Sequence, residues 1–227
     1  MITTLRTVLR ERLDLLVLLG CQALFLFAPG LDLWAAGLFH SAEHSFFLAS
    51  HPLVLLPYDV FKVGHLVIGL GLIGLLWASW HWRRRAEQVL RARLWFLLLV
   101  LLVGPGLLVN AVLKAESGRA RPHQVEPFGG PRDFTPVFTP ADQCERNCSF
   151  VSGHASMGFW FIALAWVLRD RRWLWAGIAL GAYVGLGRMA QGGHFFSDVV
   201  FAYWVVYAVC VVLARWLLHQ DRIADTG

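Results

Sequence analysis

The sequence predicts an all-α integral membrane protein with six transmembrane helices in one domain over residues 1–227, and three observations carry that prediction. Of the 227 residues, 57% are hydrophobic and only 15% are charged, a composition of membrane rather than soluble chains. Apolar runs free of charge recur at roughly 15–20 residues, about what ~30 Å of hydrocarbon requires at ~1.5 Å per residue. The basic residues sit between those runs. Arg6, Arg10 and Arg12 precede the first, Arg83 to Arg85 with Arg91 and Arg93 follow the second, Arg169, Arg171 and Arg172 follow the fourth, and Arg215 and Arg222 close the chain. Every second boundary is thus basic, as cytoplasmic loops are.

The six helices are expected near residues 14–34, 62–82, 94–113, 151–168, 173–187 and 199–218. The first run lacks a following cleavage site and polar mature segment, so it reads as an anchor rather than a signal peptide. An even number of helices places both termini in the cytoplasm, and the first external loop agrees, since Gly30 to Phe61 contains no Lys or Arg. Trp77, Trp80 and Trp82 close the second helix and Trp173 and Trp175 open the fifth, as interfacial anchors do. Pro105, between Gly104 and Gly106, is expected to kink the third helix. Gly181 and Gly185 form a small-xxx-small pair suited to close packing of the fifth. The longest polar segment is an external loop over residues 115–150, punctuated by Pro122, Pro127, Pro131, Pro136 and Pro140, of a length typical of functional loops. The net charge of +5 and pI of about 9.4 do not imply nucleic acid, because the basic residues form no amphipathic face.

This topology brings the outer ends of helices three to six to one face, and the unusual polar residues all fall there. Lys114 and Arg121 follow helix three, Ser152-Gly153-His154 opens helix four, Arg188 ends helix five, and His194 and Asp198 lead into helix six. Charged groups at membrane depth are costly, so such a cluster reads as a functional site. Lys114, Arg121 and Arg188 match a group with about two negative charges, such as a phosphate monoester. Ser152 and Gly153 at a helix start add outward N–H groups. His194 and Asp198 are four apart, so on a helix the carboxylate can accept the Nδ1 proton and leave Nε2 free to attack phosphorus. His154, from another helix, is placed as general acid.

Lys114 to Arg121-Pro122 fits K-x6-R-P, Ser152-Gly153-His154 fits the end of P-S-G-H, and Arg188, His194 and Asp198 fit S-R-x5-H-x3-D. In this order the motifs resemble the type 2 phosphatidic acid phosphatase (PAP2) family, whose helical core is shared with vanadium haloperoxidases. The resemblance implies a metal-independent reaction without cofactor, through a phosphohistidine at His194 supported by Asp198. His154 would serve as acid and then base, with Lys114, Arg121, Ser152, Gly153 and Arg188 holding phosphate. Val151 stands where the family has Pro, and Gly187 where it has Ser. The implied partners are the bilayer and a phosphorylated membrane lipid at the periplasmic face of a bacterial inner membrane: lipid A phosphate, undecaprenyl diphosphate, phosphatidylglycerophosphate or phosphatidic acid. The bulk of the Pro-rich loop favours a large headgroup such as lipid A. Phosphotransfer to another lipid would use the same site, and a non-enzymatic membrane protein is the remaining alternative. Oligomeric state is left open.

Other features read more plainly. Cys144 and Cys148 lie in the external loop, where an oxidising compartment favours a disulfide between them; Cys21 and Cys210 read as packing residues. His40-Ser41-Ala42-Glu43-His44 matches the zinc peptidase pattern H-x-x-E-H but lacks its fold context. Residues 31–47 are expected instead to form an interfacial helix with Trp34, Leu38 and Phe39 toward lipid and with His40, His44 and His51 in solvent. Asp32, Asp59, His65 and Asn110 are either supporting and channel-lining groups or interfacial and helix-bonding ones, and none is assigned to catalysis.

Overall fold

The structure, a computed structural model, describes residues 13–80 and 85–223. Arg6, Arg10, Arg12, Trp82, Arg83 and Arg84 lie outside the described residues. The regular structure is helical apart from a short hairpin: α1 Leu13–Phe27, α2 Gly30–Gly37, strands β1 His40–Ser41 and β2 Ser45–Phe46, α3 Pro52–Trp80, α4 Arg85–Leu101, α5 Gly153–Phe159, α6 Arg171–Ala190 and α7 Phe196–Leu213. Helix α4 runs on through a π-helical stretch Leu102–Leu113 and a last turn Lys114–Glu116; α5 continues as a 3-10 turn and Leu164–Leu168; α7 ends in π-helical Ala214–Leu218. Among the described residues, three helices are long and apolar enough to cross a membrane, Pro52–Trp80, Glu87–Glu116 and Phe196–Leu218. They become four if the bent pair α1 and α2 is one span, while Gly153–Leu168 is apolar but shorter.

Several boundaries differ from those expected. The first apolar run is not one helix, because α2 turns 86° away from α1 at Pro29, whose ring and missing N–H end a helix. The segment read as an interfacial helix over 31–47 stops at Gly37, and His40 pairs with Phe46 across the hairpin. Trp34 and Leu38 are exposed as expected, but the His40 ring packs between Phe46 and Phe128. The H-x-x-E-H pattern therefore lies on a hairpin, not on the helix its chemistry needs. Helix α3 starts ten residues before the expected Lys62, with Pro52 at a first-turn position where its lost N–H does no harm. His51 Nδ1 accepts from Leu53 N–H at 3.3 Å. Pro57 inside α3 frees the Leu53 carbonyl, and Tyr183 of α6 donates its hydroxyl to it at 2.6 Å. In α4, Pro105 is absorbed by π-helical widening, with Asn110 Nδ2 donating to the Pro105 carbonyl at 2.7 Å.

Close packing of α6 rests on a glycine stripe. A Cβ at Gly177 would collide with Ile162, one at Gly181 with the Phe159 ring, and one at Gly185 with Val199, so α6 approaches both α5 and α7 nearly at backbone contact. The outward surface is apolar: Leu66, Val67 and Leu70 of α3 are 57%, 68% and 69% exposed. Such a surface suits lipid rather than water.

Candidate active site

The C-terminal end of the extended α4, the start of α5, the end of α6 and the start of α7 meet under the 115–150 loop, and every site residue expected from the sequence is found there. Gly118, at φ +57 and packed against the Ala141 carbonyl, lets the chain double back after α4. Ser149 N–H then bonds the Arg119 carbonyl at 2.9 Å and Ser152 N–H the Asp198 carbonyl at 3.1 Å. These bonds tie the loop's end to α7.

His194 precedes α7 rather than lying on it, and this changes its partner. Its Nδ1 is 2.7 Å from the Ser149 carbonyl and 3.6 Å from Asp198 Oδ2, too far for a hydrogen bond. A carbonyl only accepts, so Nδ1 carries the proton. Nε2 holds the lone pair, and this buried atom has no hydrogen-bond partner. Burial depresses the His194 pKa to about 4 even though Asp198 acts in the opposite direction. The ring is therefore neutral and nucleophilic through the neutral range.

Asp198 is held from several sides. Arg119 donates to Oδ1 at 2.7 Å; Ser149 Oγ and Phe195 N–H donate to Oδ2 at 2.5 and 2.8 Å. Arg119 in turn reaches Asp32 Oδ2 of α2 at 2.8 Å, and Ser197 donates to Asp32 from both its N–H and its hydroxyl. Asp32, Arg119 and Asp198 are all at least 98% buried. Arg119 also lies 4.4 Å from the Phe195 ring centre. Sequence reasoning passed over Arg119, two residues before the motif Arg121, and left Asp32 unassigned. The available signal was Asp32 itself, a lone acid in an apolar stretch, which requires a buried cation.

The other cations are arranged differently. Lys114 Nζ donates to Asn147 Oδ1 at 3.0 Å and Arg121 to the Asn147 carbonyl at 2.8 Å. Arg188 bonds Gln191 and lies 4.8 Å from the Tyr58 ring centre. Among the described residues none of the three has a carboxylate partner, whereas Arg119 has two. They lie within electrostatic reach of one another and of His154, and Lys114 and Arg188 also of His194. Tyr58, which sequence reasoning missed, also stacks on His154 with ring centres 4.7 Å apart, and His154 Nε2 is buried without a partner. A Cβ at Gly153 would sit 2.8 Å from Asn110 Oδ1 and 3.2 Å from Lys114 Nζ, so a larger residue there would displace both side-chain ends. Ser152 Oγ caps α5 by accepting from Ala155 N–H. Its own N–H is taken by the Asp198 carbonyl of α7, which leaves the Gly153 N–H, in the first turn, as the one of that pair without an intrahelical or α7 acceptor among the described residues. Cys144 and Cys148 stand in disulfide geometry with Cα atoms 5.6 Å apart. Gly187 has open space beside it, its nearest neighbour for a Cβ being the Val54 carbonyl at 3.8 Å.

The arrangement can hold a small anion among three cations beside a lone-pair nitrogen, with a second imidazole next to it. The PAP2 superfamily model matches residues 93–223, the segment that carries all of these groups except Asp32 and Tyr58. A lipid A 4'-phosphatase of Francisella tularensis subsp. novicida is 38% identical over 215 residues, 87% of this chain and 94% of its own length. A lipid A 4'-phosphatase of Rhizobium leguminosarum is 39% identical over 128 residues, 54% of this chain and 55% of its own. A lipid A 1-phosphatase of Rhizobium etli is 33% identical over 138 residues, 59% of this chain and 56% of its own. No solved structure gives a significant match. The chain belongs to the PAP2 superfamily, on its lipid phosphatase branch.

Proposed function

We propose that the chain, as one six-helix domain in a bacterial inner membrane with both termini cytoplasmic, removes a phosphate from lipid A at the periplasmic face through a phosphohistidine at His194. The observation that carries this reading is the set of three cations without carboxylate partners among the described residues, Lys114 and Arg188 acting on both imidazoles and Arg121 on His154, together with the unpartnered Nε2 atoms of His154 and His194. A phosphate monoester dianion supplies the missing charge, with Arg121 and Arg188 as fork donors and Lys114 as a point charge. The His194 lone pair forms an N–P bond as the P–O ester bond breaks; His154, which burial and the neighbouring cations hold at a pKa of about 3 before phosphate binds, takes up a proton as the phosphate dianion offsets those cations and gives it to the leaving oxygen. Water then attacks phosphorus and returns a proton to His154, releasing inorganic phosphate and restoring His194. Asp198, fixed by Arg119, stabilises the charge that the His194 ring gains.

Lipid A as substrate rests on the three relatives, all named for phosphatases of that lipid. Six crossings follow if α1 with α2, α5 and α6 join the three long apolar helices, which leaves Arg169, Arg171 and Arg172 on the face opposite the site. The test is phosphate release by purified protein from lipid A, phosphatidic acid, phosphatidylglycerophosphate and undecaprenyl diphosphate. Fastest release from lipid A is expected, and release from none of them would reject the reading. Transfer of label from lipid A to an added acceptor lipid, instead of to water, would favour a phosphotransferase.

A further inference from the structure

Between Phe61 and Leu76 the helix α3 carries sixteen side-chain positions, and only Lys62 and His65 are polar. Being three apart they share a face, and neither bonds or pairs with any described residue. At ~1.5 Å per residue Lys62 lies ~15 Å along α3 from Pro52 and His65 ~5 Å further, both exposed on an otherwise apolar stretch of a helix long enough to cross a membrane, where polar groups are costly and mark function. Both line one groove of about 610 Å³ between α3 and α4, whose apolar walls include Leu66, Leu70 and Leu102 and which ends at Lys114, Gly153 and His154. Tyr58, one turn before Lys62, fixes the register, because its ring rests on His154.

We propose that Lys62 and His65 form a second polar subsite of the phosphatase, which hydrogen-bonds the ester or amide carbonyls linking fatty acyl chains to the phosphorylated headgroup. A lipid whose phosphate sits at His154 and Lys114 runs its chains down this groove. Its acyl carbonyls follow the phosphate by several bonds, which brings them to the level of Lys62 and then His65. A polyprenyl phosphate has only hydrocarbon at that depth and leaves both groups unpaired, which penalises it. The subsite therefore selects acylated over polyprenyl lipid phosphates.

The inference rests on the lipid phosphatase reading. Its test compares wild type, Lys62→Met, His65→Leu and the double variant on lipid A, undecaprenyl phosphate and the soluble p-nitrophenyl phosphate. Both substitutions make α3 more apolar, so membrane insertion is preserved. The double variant is expected to lose about tenfold in kcat/KM on lipid A, mainly through KM, with an unchanged rate on p-nitrophenyl phosphate and a raised rate on undecaprenyl phosphate, which no longer leaves two polar groups unpaired. Retention of lipid A in native mass spectrometry should fall in parallel, without any need for turnover. Unchanged lipid A kinetics and retention in the double variant, or an equal loss on all three substrates, would overturn the subsite. A loss on lipid A that disappears for its monophosphorylated form would assign Lys62 to a second phosphate and equally overturn the carbonyl assignment. An inert wild type that still retains lipid A would instead reject the phosphatase reading alone.

Discussion

The four buried or half-buried cations of the site divide into one and three. Arg119 is compensated by Asp32 and Asp198 at 2.8 and 2.7 Å and belongs to a closed network that reaches back to α2. Lys114, Arg121 and Arg188 rest on amides, a carbonyl and a tyrosine ring. On the proposed reading a paired guanidinium holds a carboxylate still, and cations without a carboxylate leave room for an anion. The first would then be a matter of stability, the second of ligand binding.

The largest effect expected from this division is on the nucleophile that both halves surround. His194→Ala should lower phosphate release by about 10³-fold or more, while the melting temperature stays close to wild type. Next come the closed network and the open cations, which should part company. Arg119→Met leaves the buried Asp32 and Asp198 carboxylates without their cation and should cost about 3–5 kcal/mol of stability, read as an early thermal transition together with lost activity. Arg188→Met should lower kcat/KM by about 10²-fold with an unchanged or slightly raised melting temperature, since it removes like-charge repulsion. Equal destabilisation by Arg119→Met and Arg188→Met would break the comparison.

The sequence made the open half of the site legible and, apart from Asp198, hid the closed half, for a physical reason. Lys114, Arg121, His154, Arg188, His194 and Asp198 stand at helix ends, where spacing and topology alone bring them together. Arg119 and Asp32 are joined only by the tertiary fold, across α2 and the long loop, and no local spacing encodes that contact. The Nδ1 partner of His194 was misassigned because a four-residue spacing was read as helical, whereas α7 begins at Phe196. The fold's errors were equally local: Pro29 breaks an apolar run that looked continuous, and α3 extends outward through Pro57 and Asp59, which looked like loop. The π-helical absorption of Pro105 has no signature in composition.

Smaller effects sharpen the picture. Because burial holds the His194 pKa near 4, below the ordinary value of about 6.5, the ring stays neutral as pH falls through 6. The acid limb of kcat attributable to it should appear near pH 4, and a limb near 6.5 that persists with substrates of different phosphate pKa would contradict the burial. The sign for stability follows: the unfolded chain takes up a proton that the folded chain refuses, so this contribution is whole above about pH 6.5 and is lost as pH falls toward 4. Least affected should be Gly187→Ser, where a Cβ meets nothing closer than 3.8 Å. KM should change by no more than about threefold, that is, within about 0.7 kcal/mol, and stability should be kept.

The central claim is that the unpartnered Nε2 of His194 takes the phosphoryl group. Rapid acid-free quenching of the protein during turnover of phosphate-labelled lipid, followed by peptide mass spectrometry, tests it directly. An acid-labile, base-stable phosphate on the peptide containing His194, absent from His194→Ala, is the predicted result. Phosphate found on His154 or on a serine in its place, or full turnover by His194→Ala, would contradict it.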